Sequence, residues 1–129
     1  MIQTPLERNK ENAIAFYDMM FNQSRPTQAM RDYVGDVYVQ HNSAVGNGKK
    51  AFIDYYTKLA EENPDKRMHF KRVIAEGSLV MLHCYQEMPG STGIARIDIF
   101  RHDENGKIVE HWDVVQEIPK KCANNNSMF

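Results

Sequence analysis

The sequence predicts an α+β domain in which N-terminal helices cover one face of a strongly bent, mainly antiparallel sheet. Two observations carry the prediction. Apolar residues recur at helical spacing through the first half of the chain, and after Pro64 the period changes to that of strands. The strand-like segments are separated by turn signals, of which Asn105-Gly106 is the strongest. Helices first and a meander last is the order of an α+β fold, not of alternating βαβ units.

Thr4-Pro5-Leu6-Glu7 is a capping box, with Thr4 as N-cap, Pro5 at the first helical position and Glu7 reaching back. Ala13, Phe16, Tyr17, Met20 and Phe21 then share one face, so a helix is expected over residues 5–21. Asn22 to Pro26 break it. A short helix at Thr27–Tyr33 and an extended piece at Val37–His41 follow. Gly46-Asn47-Gly48 forms a loop before a helix over 49–62, which Asn63-Pro64 stop. That helix turns Phe52, Ile53, Tyr56, Leu59 and Ala60 inward. His69–Glu76 and Leu79–Met88 flank Gly77-Ser78 as a hairpin. Pro89 to Gly93 turns the chain again into Ile94–His102 and Lys107–Ile118. Residues 1–119 form a single domain, and the Asn-rich residues 120–129 are expected to be a loose polar tail.

Composition narrows the function. A chain of 129 residues, 42% apolar and 26% charged, builds a core without staples. Sixteen basic residues against seventeen acidic ones leave no basic face for nucleic acid or an anionic membrane. The N-terminus shows no secretory pattern, and no apolar run reaches the ~20 residues of a membrane span. Cys84 and Cys122 lie far apart and read as free thiols of a cytoplasmic protein. The histidines have no metal-ligand spacing, and there is no phosphate loop, nucleophile-elbow serine or CxxC pair. No metal or cofactor is expected.

The last hairpin implies a register. With Asn105 and Gly106 as the central residues of a type I′ turn, Glu104 faces Lys107, Arg101 faces Glu110 and Asp98 faces Asp113. One sheet face then carries Arg96, Asp98, Phe100, His111, Asp113 and Val115, and the other Ile97, Ile99, Trp112 and Val114. Alternation alone favours the second set as the core. Against it, two carboxylates directly opposite one another are unusual on a solvated sheet. Inside a pocket the same pair has a use, because one of two close carboxylates is pushed towards its neutral form and donates a proton near neutral pH. Arg96, on the same face as Asp98, is placed to hold the other charged.

Ile97-Asp98-Ile99-Phe100-Arg101 followed by Gly106 to Asp113 resembles the C-terminal hairpin of SnoaL-like polyketide cyclases, and the matching hairpin of ketosteroid isomerase. Tyr38 to Asn42, the Gly48 entry to the third helix and Arg72 to Gly77 extend the resemblance over residues 5–118. It implies the cone-shaped nuclear-transport-factor-2-like fold, with the charged hairpin face turned towards a pocket. It also implies cofactor-free proton transfer next to the carbonyl of a small organic ligand: aldol-type cyclisation, isomerisation or dehydration, with a hydrolytic variant open. Residue by residue, Asp98 falls on the isomerase's hydrogen-bond-donating acid and on a pocket histidine of the cyclases. Asp113 falls on the cyclases' acid/base aspartate. His41 falls on the isomerase's general base and on an asparagine of the cyclases. Tyr17, or Phe16 with a one-residue shift, falls on the isomerase's oxyanion tyrosine.

The expected catalytic set is therefore His41, Asp98 and Asp113, with Tyr17, Arg96, Phe100 and His111 binding substrate. His41 would take the proton α to the carbonyl. Asp98, kept neutral by burial and by Asp113, would stabilise the enolate, or Asp113 would itself be the acid/base. The alternative is a binding or dimerisation module without catalysis. In either case the apolar set Ile97, Ile99, Trp112 and Val114 is left on the outer face, and a homodimer is expected there.

Overall fold

Helix α1 (Pro5–Tyr17) starts on the capping box: the Glu7 N–H donates to Thr4 Oγ1 and the Thr4 N–H to Glu7 Oε2, both at 3.1 Å. The computed structural model describes residues 2–129. The helix does not continue to residue 21 as an α-helix, because Asp18–Asn22 form a π-helical turn. Asn22 explains the change. Its amide exchanges hydrogen bonds with the Met68 backbone, at 2.7 and 3.1 Å, and so ties the turn to the start of a strand. Helix α2 (Pro26–Tyr33) leads directly into strand β1 (Val34–Gln40), which begins three residues before the expected Val37. Helix α3 (Lys49–Glu62) precedes β2 (Arg67–Glu76), β3 (Leu79–Glu87), β4 (Ile94–His102) and β5 (Ile108–Glu117).

The five strands form a curved, unclosed sheet in the order β1-β5-β4-β3-β2. β1 runs parallel to β5 and every other pairing is antiparallel. Register shifts between Phe70 and Arg72, between Arg101 and His102, and along β1 mark the irregularities that bend strands. Among the described residues, no helix is long and apolar enough to cross a membrane.

The last turn differs from the expected one. Asn105 and Gly106 are not the two central residues of a type I′ turn, since Gly106 has φ +80° but Asn105 is not in the left-handed region. Asp103 captures the loop instead, its Oδ1 accepting from the Asn105 and Lys107 N–H groups at 2.9 Å each. The loop is then closed by the Asp103 N–H donating to Lys107 O at 2.7 Å, so no Glu104–Lys107 pair forms. Val109 is bulged out of the ladder between the His102–Ile108 and Arg101–Glu110 pairs. The bulge cancels the longer loop, and from there Arg101 faces Glu110 and Asp98 faces Asp113.

The face that alternation alone would bury is the outer one. Asp98 is fully buried, with Arg96, Phe100 and His111 beside it, whereas Val114 is 77% exposed. The inward rungs of the sheet are Val80–Phe100–His111, Leu82–Asp98–Asp113 and Cys84–Arg96–Val115. Phe16 of α1 stacks on Phe52 of α3 at 5.4 Å and meets Phe100 edge-on at 5.9 Å, closing the helical layer over the sheet. The tail is not loose along its whole length. Phe129 lies 5.4 Å from the rings of both His83 and Tyr85 on the outer face.

Candidate functional site

Buried charge at the centre of the inward face organises the site. Arg96, on β4, reaches both aspartates. Its Nε and an Nη donate to the two oxygens of Asp98 at 3.0 Å each, and the same Nη donates to Asp113 Oδ2 at 2.8 Å. The other Nη donates to Gln86 Oε1 at 2.6 Å. The guanidinium fork is suited to bridging carboxylates in this way. Asp98 also accepts from the Tyr17 hydroxyl and lies 2.8 Å from His111 Nε2. The π-helical turn begins immediately after Tyr17 and leaves that residue, not Phe16, pointing at Asp98. His111 Nδ1 meets Gln40 Oε1 at 2.7 Å, which anchors the ring to the end of β1.

These contacts correct the expectation that Asp98 is kept neutral. Burial would raise the Asp98 carboxyl, but the Arg96 charge and the His111 hydrogen bond outweigh it and pull the pKa down to about 2. Arg96 itself loses solvation, yet the Asp98 charge holds its pKa well above the usual value. Burial pushes the Tyr17 phenol well up, so it stays a donor. Asp98 is thus an ionised, fully satisfied acceptor and is not available as a neutral hydrogen-bond donor to an oxyanion.

The ligand-accessible part of the site lies above this cluster. A half-open cavity of about 490 Å³, within the range of small-molecule pockets, has Asp113, Arg96, Gln86, Asn42, Ser43 and His41 in its polar lining. Its walls include Tyr55, Tyr56, Leu59, Met88, Ile94 and Val115. Asp113 Oδ2 accepts from Arg96 and, at 2.7 Å, from Asn42 Nδ2, while no donor among the described residues reaches Oδ1. Asn42 is itself held by the turn after β1, its Oδ1 accepting from the Ala44 N–H at 2.8 Å.

The expected site residues divide into three groups. Asp113 and Arg96 line the cavity. Asp98, Tyr17, His111 and Phe100 come together as expected from a shared face but lie beneath the cavity, where they fill the depth of the cone. His41 also lines the cavity but makes no bond to either aspartate. It stands at the cavity rim with its ring stacked on Trp112 at 4.9 Å and Nε2 2.7 Å from Glu110 Oε2. Gln40 turns inward to His111, so the next residue turns to the outer face, where Trp112 and Glu110 receive it. Asn42, one residue further on, is the side chain from this segment that reaches Asp113.

Sequence reading missed Asn42, Gln86 and the opening of Tyr56 onto the cavity. Gln86 had a signal, because counting in twos from Val80 along β3 places it inward. Ligand atoms of Asp98, His111 and Asp113 lie within 4.8 Å of one another, a spacing that a metal ion can use. The guanidinium of Arg96 already sits between the two carboxylates, and a cation would have to displace it.

Known proteins share this architecture. The model of the SnoaL-like domain family matches residues 13–111. No curated protein matches the chain. Among solved structures, a putative SnoaL-like polyketide cyclase from Jannaschia sp. CCS1 is similar, with TM-score 0.71, 14% identity, 89% of this chain and 90% of that one covered. An NTF2-like protein of unknown function from Mesorhizobium loti gives TM-score 0.71 at 18% identity, covering 90% and 97% of the two chains. TsrD from Streptomyces laurentii gives TM-score 0.69 at 17% identity, covering 83% and 87%. At these identities the likeness is one of fold.

Proposed function

We propose, from the premise that this chain belongs to the SnoaL-like domain family, that it is a cofactor-free enzyme moving a proton next to the carbonyl of a small organic ligand. The observation that carries the reading is Asp113, with one oxygen pinned by Arg96 and Asn42 and the other free in a residue that lines the cavity. A carboxylate so held is oriented without losing its basic lone pairs. Oδ1 takes the proton α to the carbonyl, and the C–H electron pair becomes the enolate. The proton then returns to another carbon in an isomerisation, to the new alkoxide in an aldol-type closure, or to a departing hydroxyl in a dehydration. Asp98, Tyr17 and His111 act one layer down, fixing Arg96 and through it Asp113.

One observation favours a second reading, a binding module without catalysis. Tyr17, Phe100 and His111 fill the deep part of the cone, and His41 does not reach the cluster. The two readings separate in one assay: α-deuterium exchange of a panel of cyclic ketones and enones in D₂O, followed by NMR. Wild type should accelerate exchange for at least one compound, and Asp113→Asn should lose roughly 10²-fold or more of that acceleration. Exchange by Asp113→Asn at the wild-type rate would falsify the acid–base role. No acceleration by wild type of any compound that it binds supports the module instead.

The same reading makes the protein a cytoplasmic homodimer. Cys84 and Cys122 are unpaired, which suits a reducing compartment. Val114, with Trp112, Ile97 and Ile99 on the same outer face, offers an apolar surface for a two-fold contact.

A further inference from the structure

We infer that Tyr56 and Gln86 form a two-donor subsite that receives the oxygen of an enolate- or phenol-type ligand in this cavity. Tyr56, on α3, is 4% exposed and lines the cavity, and its hydroxyl makes no hydrogen bond to the described residues. Among the described residues the sealed polar atoms without a partner are the Tyr38 hydroxyl and His102 Nε2, and the Tyr56 hydroxyl is not one of them. Its oxygen therefore opens onto the cavity. Burial raises its pKa to about 12, so it offers a proton and not a negative charge.

Gln86, on β3, shows the same pattern. It is 5% exposed, lines the cavity and gives Oε1 to Arg96 at 2.6 Å. That bond fixes which end of the amide is the donor, because a guanidinium only donates. The Nε2 group then faces away from Arg96, has no partner among the described residues and is not sealed. Two buried side chains with unspent donors around one cavity are costly unless something accepts from them. A ligand oxygen in the cavity supplies that acceptor.

The inference rests on the proton-transfer reading above and deepens it. Asp113 Oδ1 is an acceptor, whereas Tyr56 Oη and Gln86 Nε2 are donors. A group that carries a proton and an oxygen together satisfies all of them, as an enol or a phenol does. Such a hydroxyl donates to Asp113 Oδ1 while its oxygen accepts from Tyr56 and Gln86. When Asp113 removes a proton from carbon, the same donors meet the charge that develops on the carbonyl oxygen.

The test compares 4-fluorophenol with 4-fluorotoluene, which has the same ring and no hydroxyl, by ¹⁹F NMR titration. Wild type should bind the phenol more tightly. Tyr56→Phe, which removes a single oxygen, should weaken the phenol roughly 10-fold and leave the toluene unchanged. Gln86→Glu keeps the acceptor for Arg96 and replaces the free donor by a second oxygen, and should weaken the phenol by at least as much. Equal losses for both ligands in either variant, or no preference for the phenol in wild type, overturn the subsite. If the phenol preference survives Tyr56→Phe while Asp113→Asn abolishes exchange, the subsite fails and the acid–base role stands. If Tyr56→Phe loses the preference while wild type catalyses no exchange, the subsite stands and the acid–base role fails.

Discussion

Replacing Arg96 by methionine should destabilise the protein by about 4 kcal/mol at pH 7, and much less at pH 5. The substitution removes two hydrogen bonds to Asp98, one each to Asp113 and Gln86, and a longer one to the Tyr17 hydroxyl. Asp98 keeps Tyr17 and His111, and Asp113 keeps Asn42, but the buried cation between them is gone. Breaking a buried ion pair from one side costs about 3–5 kcal/mol. A second route gives a ceiling: a carboxyl with an ordinary pKa of ~3.9 escapes the penalty by binding a proton, which costs about 4 kcal/mol at pH 7 and about 1.5 kcal/mol at pH 5. The sign follows from linkage. In the variant the folded state holds a proton that the unfolded state has released, so stability falls as pH rises from 5 to 7. In wild type the Asp98 pKa is depressed to about 2, so its contribution is intact above ~3.9 and is lost only as pH falls through the folded value. The pH slope of the difference therefore belongs to the variant. Urea unfolding of both proteins at the two pH values measures it, and Asp98→Asn in the Arg96→Met background should recover part of the loss. A cost below about 1 kcal/mol at pH 7, or the same cost at both pH values, refutes the view that Arg96 supplies the charge the two aspartates need.

His102 is buried, its Nε2 has no partner among the described residues, and burial lowers its pKa. Wild-type stability should therefore be whole above the unfolded histidine value of ~6.5 and fall below it by up to about 1.4 kcal/mol per pH unit. His102→Gln should flatten that slope in urea unfolding between pH 7.5 and 5.5, and an unchanged slope counts against the assignment. On the outer face, Val114→Lys should turn a dimer into a monomer in sedimentation at micromolar concentration. A wild type that already sediments as a monomer removes the reason for the substitution.

Elements governed by local chemistry were legible in the sequence. The capping box at Thr4, the stop at Asn63-Pro64 and the hairpin about Gly77 depend on residues within a few positions of one another, and the structure has them. The π-helical turn was not legible, because its cause is a hydrogen-bonded exchange between Asn22 and Met68, 46 residues away. Strand β1 reads short in the sequence for a similar reason. Gly35 and Asp36 are poor strand residues in isolation, and they lie in the irregular stretch of β1 between the Val34–Ile108 and Val39–Glu110 pairs, made with a strand far along the chain. The Asp98–Asp113 pairing matches the count along the hairpin even though the turn does not. Asp103 lengthens the loop by one residue and the Val109 bulge absorbs it, so two local departures leave the register of the site intact.

The site was legible to the extent that alternation governs it. Arg96, Asp98, Phe100, His111 and Asp113 share a face because strands alternate, and this reasoning needs no knowledge of partners. The same rule misplaces His41 only if β1 is taken to end on it. With Gln40 paired to His111, alternation sends His41 outward and leaves Asn42 to turn back. What alternation cannot supply is the protonation state of the pair. Two facing carboxylates imply a shared proton if nothing else is near, and two separate ions if a cation bridges them. Arg96 is visible two residues from Asp98, but its reach across to Asp113 on the neighbouring strand is a matter of rotamer and packing. Gln86 and Asp98 settle that rotamer by binding the other nitrogens of the guanidinium. With Asp98 ionised and saturated by donors, catalytic freedom passes to the one oxygen of the pair that no donor among the described residues occupies, and that oxygen belongs to Asp113, the aspartate that lines the cavity.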